Sequence, residues 1–258
     1  MRLCTWNVNS LKARLPRVLE FLDEVAPDVL CLQETKSTPQ AFPRDVLVEA
    51  GYVAVDHSGG RWAGVAILVR EDLALEQGAV GLPGESAPEE ARWIEATVAG
   101  TVVASVYVPN GREIGTPPFA QKLQFLEAIE ARVEQLMAAK TPFALLGDFN
   151  VCPADSDVYD PSAFVGATHV SAQERAGLEA ILAAGAIDVY RALHPDEPMF
   201  TWWDYRQGHF HRGLGLRIDL ALLSPGLAQM TTEVGVVRDY RKGEKPSDHV
   251  PMVVDLTL

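Results

Sequence analysis

The feature that most constrains this chain is the run Phe143-Ala144-Leu145-Leu146-Gly147-Asp148-Phe149-Asn150. An unbroken apolar stretch this short predicts a fully buried strand, and a strand with no solvent face has to lie inside a layered fold. The run stops at Gly147, then presents a carboxylate and a carboxamide two positions apart, on one face of an extended backbone. At a strand's exit an Asp and an Asn project together into one cleft, the Asp as base or metal ligand and the Asn as a neutral donor to an anionic oxygen. Taken alone, the run is equally served by a helix-capping Asp and a turn Asn after a core strand.

Polar strand exits recur along the chain. Residues 3–8 read as a strand. Val18, Phe21, Leu22 and Val25 then fall at helical spacing until Pro27. Asp28 to Gln33 forms the next strand, and its apolar centre opens into Gln33-Glu34-Thr35-Lys36. Leu126, Ile129, Val133, Leu136 and Met137 mark a long amphipathic helix that leads into the 143–150 run. Helix, strand and polar exit thus occur twice, ending at Glu34 and at Asp148, which points to a pseudo-symmetric pair of sheets. Further strands are expected at 62–70, 218–223, 232–237 and 250–256, with a hairpin of 92–98 and 101–108 around Ala99-Gly100. Residues 151–175 read as an Asp- and Pro-rich loop, Leu178, Ile181 and Leu182 as a short helix, and 199–212 as an aromatic loop. No stretch has linker composition. The expectation is one α/β domain over residues 1–258, a four-layer α/β/β/α sandwich of two facing mixed sheets with outer helices.

The exits collect Asn7, Glu34, Tyr107, Asp148, Asn150, Asp219 and the pair Asp248-His249. A carboxylate inside Arg217-Ile218-Asp219-Leu220 needs a partner, and His249, just before a closing strand, is a candidate whose tautomer Asp219 would fix. Carboxylates and amides with no cysteine or second histidine beside them are hard oxygen donors that suit Mg²⁺, with Mn²⁺ as a substitute. Together these groups suit metal-assisted phosphodiester hydrolysis: Glu34 holds the metal, Asp148 activates water, and Asn150 with His249 stabilises the added charge on phosphorus.

Six motifs follow in order: Trp6-Asn7-Val8-Asn9-Ser10, Leu32-Gln33-Glu34-Thr35-Lys36, Gly147-Asp148-Phe149-Asn150-Val151, Thr201-Trp202-Trp203-Asp204-Tyr205-Arg206, Leu216-Arg217-Ile218-Asp219 and Lys245-Pro246-Ser247-Asp248-His249. Together they closely resemble the exodeoxyribonuclease III (AP endonuclease) family of the endonuclease/exonuclease/phosphatase superfamily. The resemblance implies a Mg²⁺-dependent DNA repair nuclease. Such an enzyme cuts duplex DNA 5′ to abasic sites and also carries 3′ to 5′ exonuclease, 3′-phosphatase and 3′-phosphodiesterase activities. It implies a catalytic set of Tyr107, Asp148, Asn150, Asp219 and His249. Asn7, Glu34 and Asp248 lie at or near the metal, which Asp148 and Asn150 also touch. Trp202 occupies the position of an aromatic that packs against an extruded abasic sugar; the alternative is that Trp202 and Trp203 are core aromatics.

Arg206, Arg212, Arg241, Lys242 and Lys245 are the candidate DNA-binding cations, and each alone also reads as a solvated surface charge. Against them stands the overall balance, 22 Lys and Arg to 35 Asp and Glu, a net charge of −13 that runs counter to nucleic-acid binding. A local basic rim reconciles the two, and it implies activity that falls steeply with added salt. His209 and His211 stand where the family pattern more often has basic or Asn residues. The partner expected is double-stranded DNA with abasic sites or blocked 3′ ends. Two other readings stay open: a phosphatase acting on a smaller ester, and a non-catalytic DNA-binding module. Cys4, Cys31 and Cys152 read as buried free thiols. With no leader pattern and no apolar run long enough for a bilayer, a soluble, cytoplasmic monomer with no membrane contact is expected.

Overall fold

In the first strand, β1 (Arg2–Asn7), Leu3 packs into one apolar cluster while Cys4 and Trp6 pack into another, so the strand is buried on both faces. This alternation sets the layers. The computed structural model describes residues 1–257. The remaining strands are β2 (Val29–Gln33), β3 (Tyr52–His57), β4 (Val65–Arg70), β5 (Leu75–Val80), β6 (Trp93–Val98), β7 (Thr101–Tyr107), β8 (Phe143–Asp148), β9 (Ile187–Asp188), β10 (Asp219–Leu223), β11 (Thr231–Val236) and β12 (Met252–Leu256). The principal helices are α1 (Leu11–Val25), α2 (Arg44–Glu49), α3 (Pro117–Ala138) and α4 (Ala172–Ala183).

Two six-stranded sheets form, ordered β11-β12-β1-β2-β4-β3 and β5-β6-β7-β8-β10-β9. Their facing sides share one core that includes Leu3, Cys31, Ile67, Val103, Leu146, Ala221 and Val254. Behind the first sheet, Val18, Phe21 and Leu22 of α1 and Leu47 of α2 cover Trp6, Leu30 and Leu68. Behind the second, Phe125, Ile129 and Val133 of α3 and Leu178 and Ile181 of α4 cover Phe143, Leu145 and Leu222. The architecture is the expected α/β/β/α sandwich. No helix among the described residues is long and apolar enough to cross a membrane.

The twofold pattern of the sequence has a structural counterpart. β1 and β2 run parallel across α1, and β7 and β8 run parallel across α3. Each pair is flanked by antiparallel strands, β12 and β4 in one sheet, β6 and β10 in the other. Parallel strands need such a helical crossover, and it brings both exits of a pair to the same end. Ala26, with φ 47, closes α1 and Pro27 forbids its continuation. The hairpin of β6 and β7 turns through Ala99 and Gly100, φ 48 and 77, the paired positive angles of a tight two-residue turn.

Three local expectations change. The strand expected at 62–70 begins at Val65, because Gly64 turns the chain with φ 108 and leaves Trp62, 73% exposed, in the loop beside Arg61. The loop expected over 151–175 contains single helical turns at Asp155–Asp157 and Pro161–Phe164, and α4 starts inside it at Ala172 behind a Ser171/Glu174 capping box. The aromatic loop 199–212 carries the short helix His209–Arg212.

Candidate active site

Because β8 pairs in parallel with β7 and antiparallel with β10, Tyr107, Asp148 and Asp219 fall in one row across the sheet. Gly147 makes this row possible: a Cβ there would lie 1.9 Å from the Val106 carbonyl oxygen. The facing sheet brings Asn7 at the end of β1 and Glu34 just past β2. The late loop is pinned above them, with Ser247 Oγ donating to the Asn7 carbonyl at 2.7 Å and the Trp6 indole N–H donating to the His249 carbonyl at 3.2 Å. Glu34, Tyr107, Asp148, Asn150, Asp248, His249 and Trp202 line a single cavity of about 180 Å³. Glu34 and Asn150 hold left-handed backbones, both with φ 52, and Asn9 and Lys36 do so beside them. Non-glycine residues in this region are strained and cluster where geometry serves function.

Asn7 Nδ2 bridges the two walls, donating to Glu34 Oε1 at 2.9 Å and to Asp148 Oδ2 at 3.0 Å. The Tyr107 hydroxyl donates to Glu34 Oε1 at 3.0 Å, and Lys36 Nζ sits 2.8 Å from Glu34 Oε2. His249 Nδ1–H donates to Asp219 Oδ2 at 2.8 Å, which leaves Nε2 facing the cleft 3.9 Å from Asp148 Oδ2. The Asn150 amide N–H donates to Asp148 Oδ1 at 2.9 Å, and its Nδ2 donates to the Val108 carbonyl at 3.0 Å. Asp248 accepts from Asn9 Nδ2 and from the Trp202 indole, each at 3.0 Å.

Burial dominates the electrostatics. It pushes Asp148, 2% exposed, up to about 7; His249 pulls against that rise while Asp219 and Glu34 add to it. For His249, 4% exposed, burial acts downward but is outweighed by Asp219, Asp148 and Asp248, which hold the imidazole up at about 10. At neutral pH the site therefore holds an imidazolium between two carboxyl groups. Burial and Glu34 raise the Tyr107 phenol well above its ordinary value. Burial works against the ionised form of Asp248, yet His249 and the bonds from Trp202 and Asn9 keep it below the usual carboxylate range.

The structure brings together Asn7, Glu34, Tyr107, Asp148, Asn150, Asp219, Asp248 and His249. It separates the tandem tryptophans. Trp202 walls the cavity, whereas Trp203, 2% exposed, packs among Phe210 and Val250 in the core. Among the basic candidates, Arg206 is tied to Asp204 at 2.6 Å, Lys242 to Asp239 at 2.5 Å and Lys245 to Glu244 at 3.8 Å, while Arg212 lies exposed on the short helix. Arg241 does not belong with them. It is 8% exposed, stacked over Tyr205 and Phe210 with Nη2 donating to the Trp203 carbonyl, so its guanidinium props the aromatic loop from behind.

Sequence reasoning missed Asn110 and His169, which also line the cavity. His169 Nδ1–H donates to the Asn150 carbonyl at 2.6 Å, its unprotonated Nε2 accepts from Asn110 Nδ2 at 3.5 Å, and burial with nearby Lys122 pushes the imidazole down to about 4. It missed the fully buried Lys122–Glu174 pair behind them as well. No motif marks these residues. His169 sits in what reads as ordinary loop, and Lys122 reads as a solvated position on an amphipathic helix.

Among the described residues no group of three or more His, Cys, Asp or Glu side chains is arranged to hold a metal ion. The donor set here is mixed. Two carboxylates, Glu34 and Asp148, are joined through the Asn7 carboxamide, and Asp248 is drawn aside by Asn9 and Trp202. The carboxylate oxygens fit a hard divalent cation, and the Lys36 ammonium already lies against Glu34.

Two facing sheets whose strand exits place these acids and this histidine in one cleft define a class of phosphoesterase, and the chain belongs to the Endonuclease/Exonuclease/phosphatase family, matched over residues 4–249. Within that family it is similar to exodeoxyribonuclease III from Haemophilus influenzae, 31% identical over 98% of this chain and 98% of that protein. Among solved structures it is similar to a 3′ phosphatase from Neisseria bound to product DNA hairpin, 38% identical over the whole of both chains with a TM-score of 0.93. It is also similar to an AP endonuclease from Archaeoglobus fulgidus, 34% identical over the whole of both chains with a TM-score of 0.95.

Proposed function

We propose that the protein is a Mg²⁺-dependent DNA repair nuclease that hydrolyses phosphate esters of duplex DNA. Its substrates are blocked 3′ ends and the 5′ side of abasic sites, and it degrades DNA from the 3′ end. The observation that carries this reading is His249, bonded to Asp219 through Nδ1 and turned through Nε2 toward Asp148, in the cleft that Glu34 closes from the other sheet. Likeness to exodeoxyribonuclease III, to a DNA-bound 3′ phosphatase and to an AP endonuclease supports the substrate class.

Glu34 is the group that would hold Mg²⁺, with the Asn7 carboxamide bridging it to Asp148; when bound, the metal supplies charge to polarise the phosphate and lower the pKa of water. Asp148, with its carboxyl raised by burial, accepts the proton of the attacking water. The His249 imidazolium donates through Nε2 to a phosphate oxygen, and Asp219 keeps its tautomer and charge. The Asn150 carboxamide donates to the same group as negative charge builds, while the Tyr107 hydroxyl, which donates to Glu34, orients that carboxylate. Trp202, tied to Asp248, gives the flat apolar wall against which a sugar lies.

One observation favours a second reading, a phosphatase for small esters: the candidate cations Arg206, Lys242 and Lys245 each lie beside a neighbouring acid. Labelled duplexes bearing a 3′-phosphate or a single abasic site, assayed with Mg²⁺ or EDTA for wild type and Asp148→Asn, separate the two. Metal-dependent processing of duplex, lost in Asp148→Asn, is the expected result. Turnover of a soluble phosphate ester with none on either duplex would move the assignment to the small substrate.

A further inference from the structure

Behind the cavity, three loops meet at one buried ammonium. Lys122, on the first turns of α3, is fully buried and bonds to Glu174 of α4, which is equally buried. Its Nζ also donates to the carbonyl oxygen of Asn150 at 2.6 Å and to that of Asn110 at 3.2 Å. Glu174 in turn accepts the backbone N–H of His169 at 2.8 Å and the hydroxyl of Ser171 at 2.6 Å. One ion pair thus joins the segment after β7, the segment after β8 and the segment before α4. Each of these contributes a cavity-lining side chain, Asn110, Asn150 and His169.

A buried ion pair is a poor source of stability, since desolvation offsets most of its attraction. What this pair does have is geometry. Asn150 holds a left-handed backbone, φ 52, and its carbonyl oxygen takes two donors at 2.6 Å, Lys122 Nζ and His169 Nδ1. Release of that carbonyl would free the peptide to rotate and carry the carboxamide out of the cleft. We infer that Lys122 and Glu174 are positioning residues that fix Asn150, and with it Asn110, in the arrangement the hydrolytic step requires. This rests on the function proposed above, in which Asn150 acts on the phosphate.

The neutral replacement Lys122→Met/Glu174→Gln leaves no uncompensated charge and keeps one acceptor, the amide oxygen, for the His169 N–H. Measured on the duplex wild type cleaves fastest, it is expected to lower kcat about tenfold, the worth of a hydrogen bond to a charged group, with KM unchanged. In an Asn150→Ala background the same replacement is expected to cost nothing further, because the pair acts through Asn150. Should the neutral pair not fold, Lys122→Arg/Glu174→Asp keeps both charges but offers a planar fork in place of tetrahedral donors, and the same loss with the same coupling is expected. A folded variant with wild-type kcat, or losses that multiply independently of Asn150→Ala, overturns the inference. An inactive wild type on every DNA substrate instead overturns the function on which it rests.

Discussion

The two halves of the sandwich share a plan, a parallel pair of strands across one helix, yet each delivers a carboxylate into a different setting. Glu34, past β2, has a side chain 17% exposed, with the Lys36 ammonium 2.8 Å away and the Asn7 and Tyr107 donors on its other oxygen. Asp148, at the end of β8, is almost fully buried, and the nearest cationic atom is His249 Nε2 at 3.9 Å. A carboxylate beside a cation and in part reached by solvent suits a metal. A carboxyl sealed from water and raised to about 7 suits the gain and loss of a proton. One topology, used twice, thus yields two settings for a carboxylate, set apart by burial and by the charges beside it.

Substitutions that break the contrast come first by size. Asp148→Asn removes the proposed proton acceptor without changing volume, and kcat on a 3′-blocked duplex is expected to fall by about 10²- to 10⁴-fold. Saturating Mg²⁺ should restore none of it. Glu34→Gln should behave differently: steady-state assays across a Mg²⁺ series are expected to show apparent metal affinity weakened about 10- to 100-fold, with much of the rate recovered at high metal. If the two variants respond alike to metal, the contrast between the halves is lost. Tyr107→Phe deletes only the hydroxyl on Glu34, and single-turnover rates are expected to drop about tenfold with duplex affinity retained.

The smallest effect sharpens the electrostatic side. A histidine held up at about 10 contributes stability that is complete below its ordinary value, about 6.5, and is lost as pH rises through about 10. Asp219→Asn removes the main source of that rise. Denaturant unfolding at several pH values is therefore expected to show the variant less stable than wild type near pH 6, with the gap closing as pH climbs past 10. A gap that is constant with pH would mean that Asp219 acts on the fold rather than on the charge of His249.

Most of this arrangement is legible in the sequence because strand exits are local events. An apolar run that ends in Gly147-Asp148 or Gln33-Glu34 announces both the strand and its polar tip, and the two helix-strand units follow from periodicity. The edge strands β3 and β5 escape such reading. β5 carries Gly78 and is exposed along most of its length, so its pattern is that of a loop. Lys122 escapes for another reason: its partner Glu174 is 52 residues away, and an amphipathic helix with a lysine near its start looks like any solvated helix. Arg241 misleads in the opposite sense, since a basic cluster before Asp248-His249 reads as surface until Tyr205 and Phe210 close over it.

Calorimetric titration of Mg²⁺ into wild type, Glu34→Gln and Asp148→Asn, followed by turnover of the same samples on one 3′-blocked duplex, tests the division of labour between the halves most directly. The expected result is a dissociation constant raised chiefly by Glu34→Gln, with turnover abolished chiefly by Asp148→Asn at saturating metal. Loss of metal binding in Asp148→Asn together with wild-type metal affinity in Glu34→Gln would contradict it.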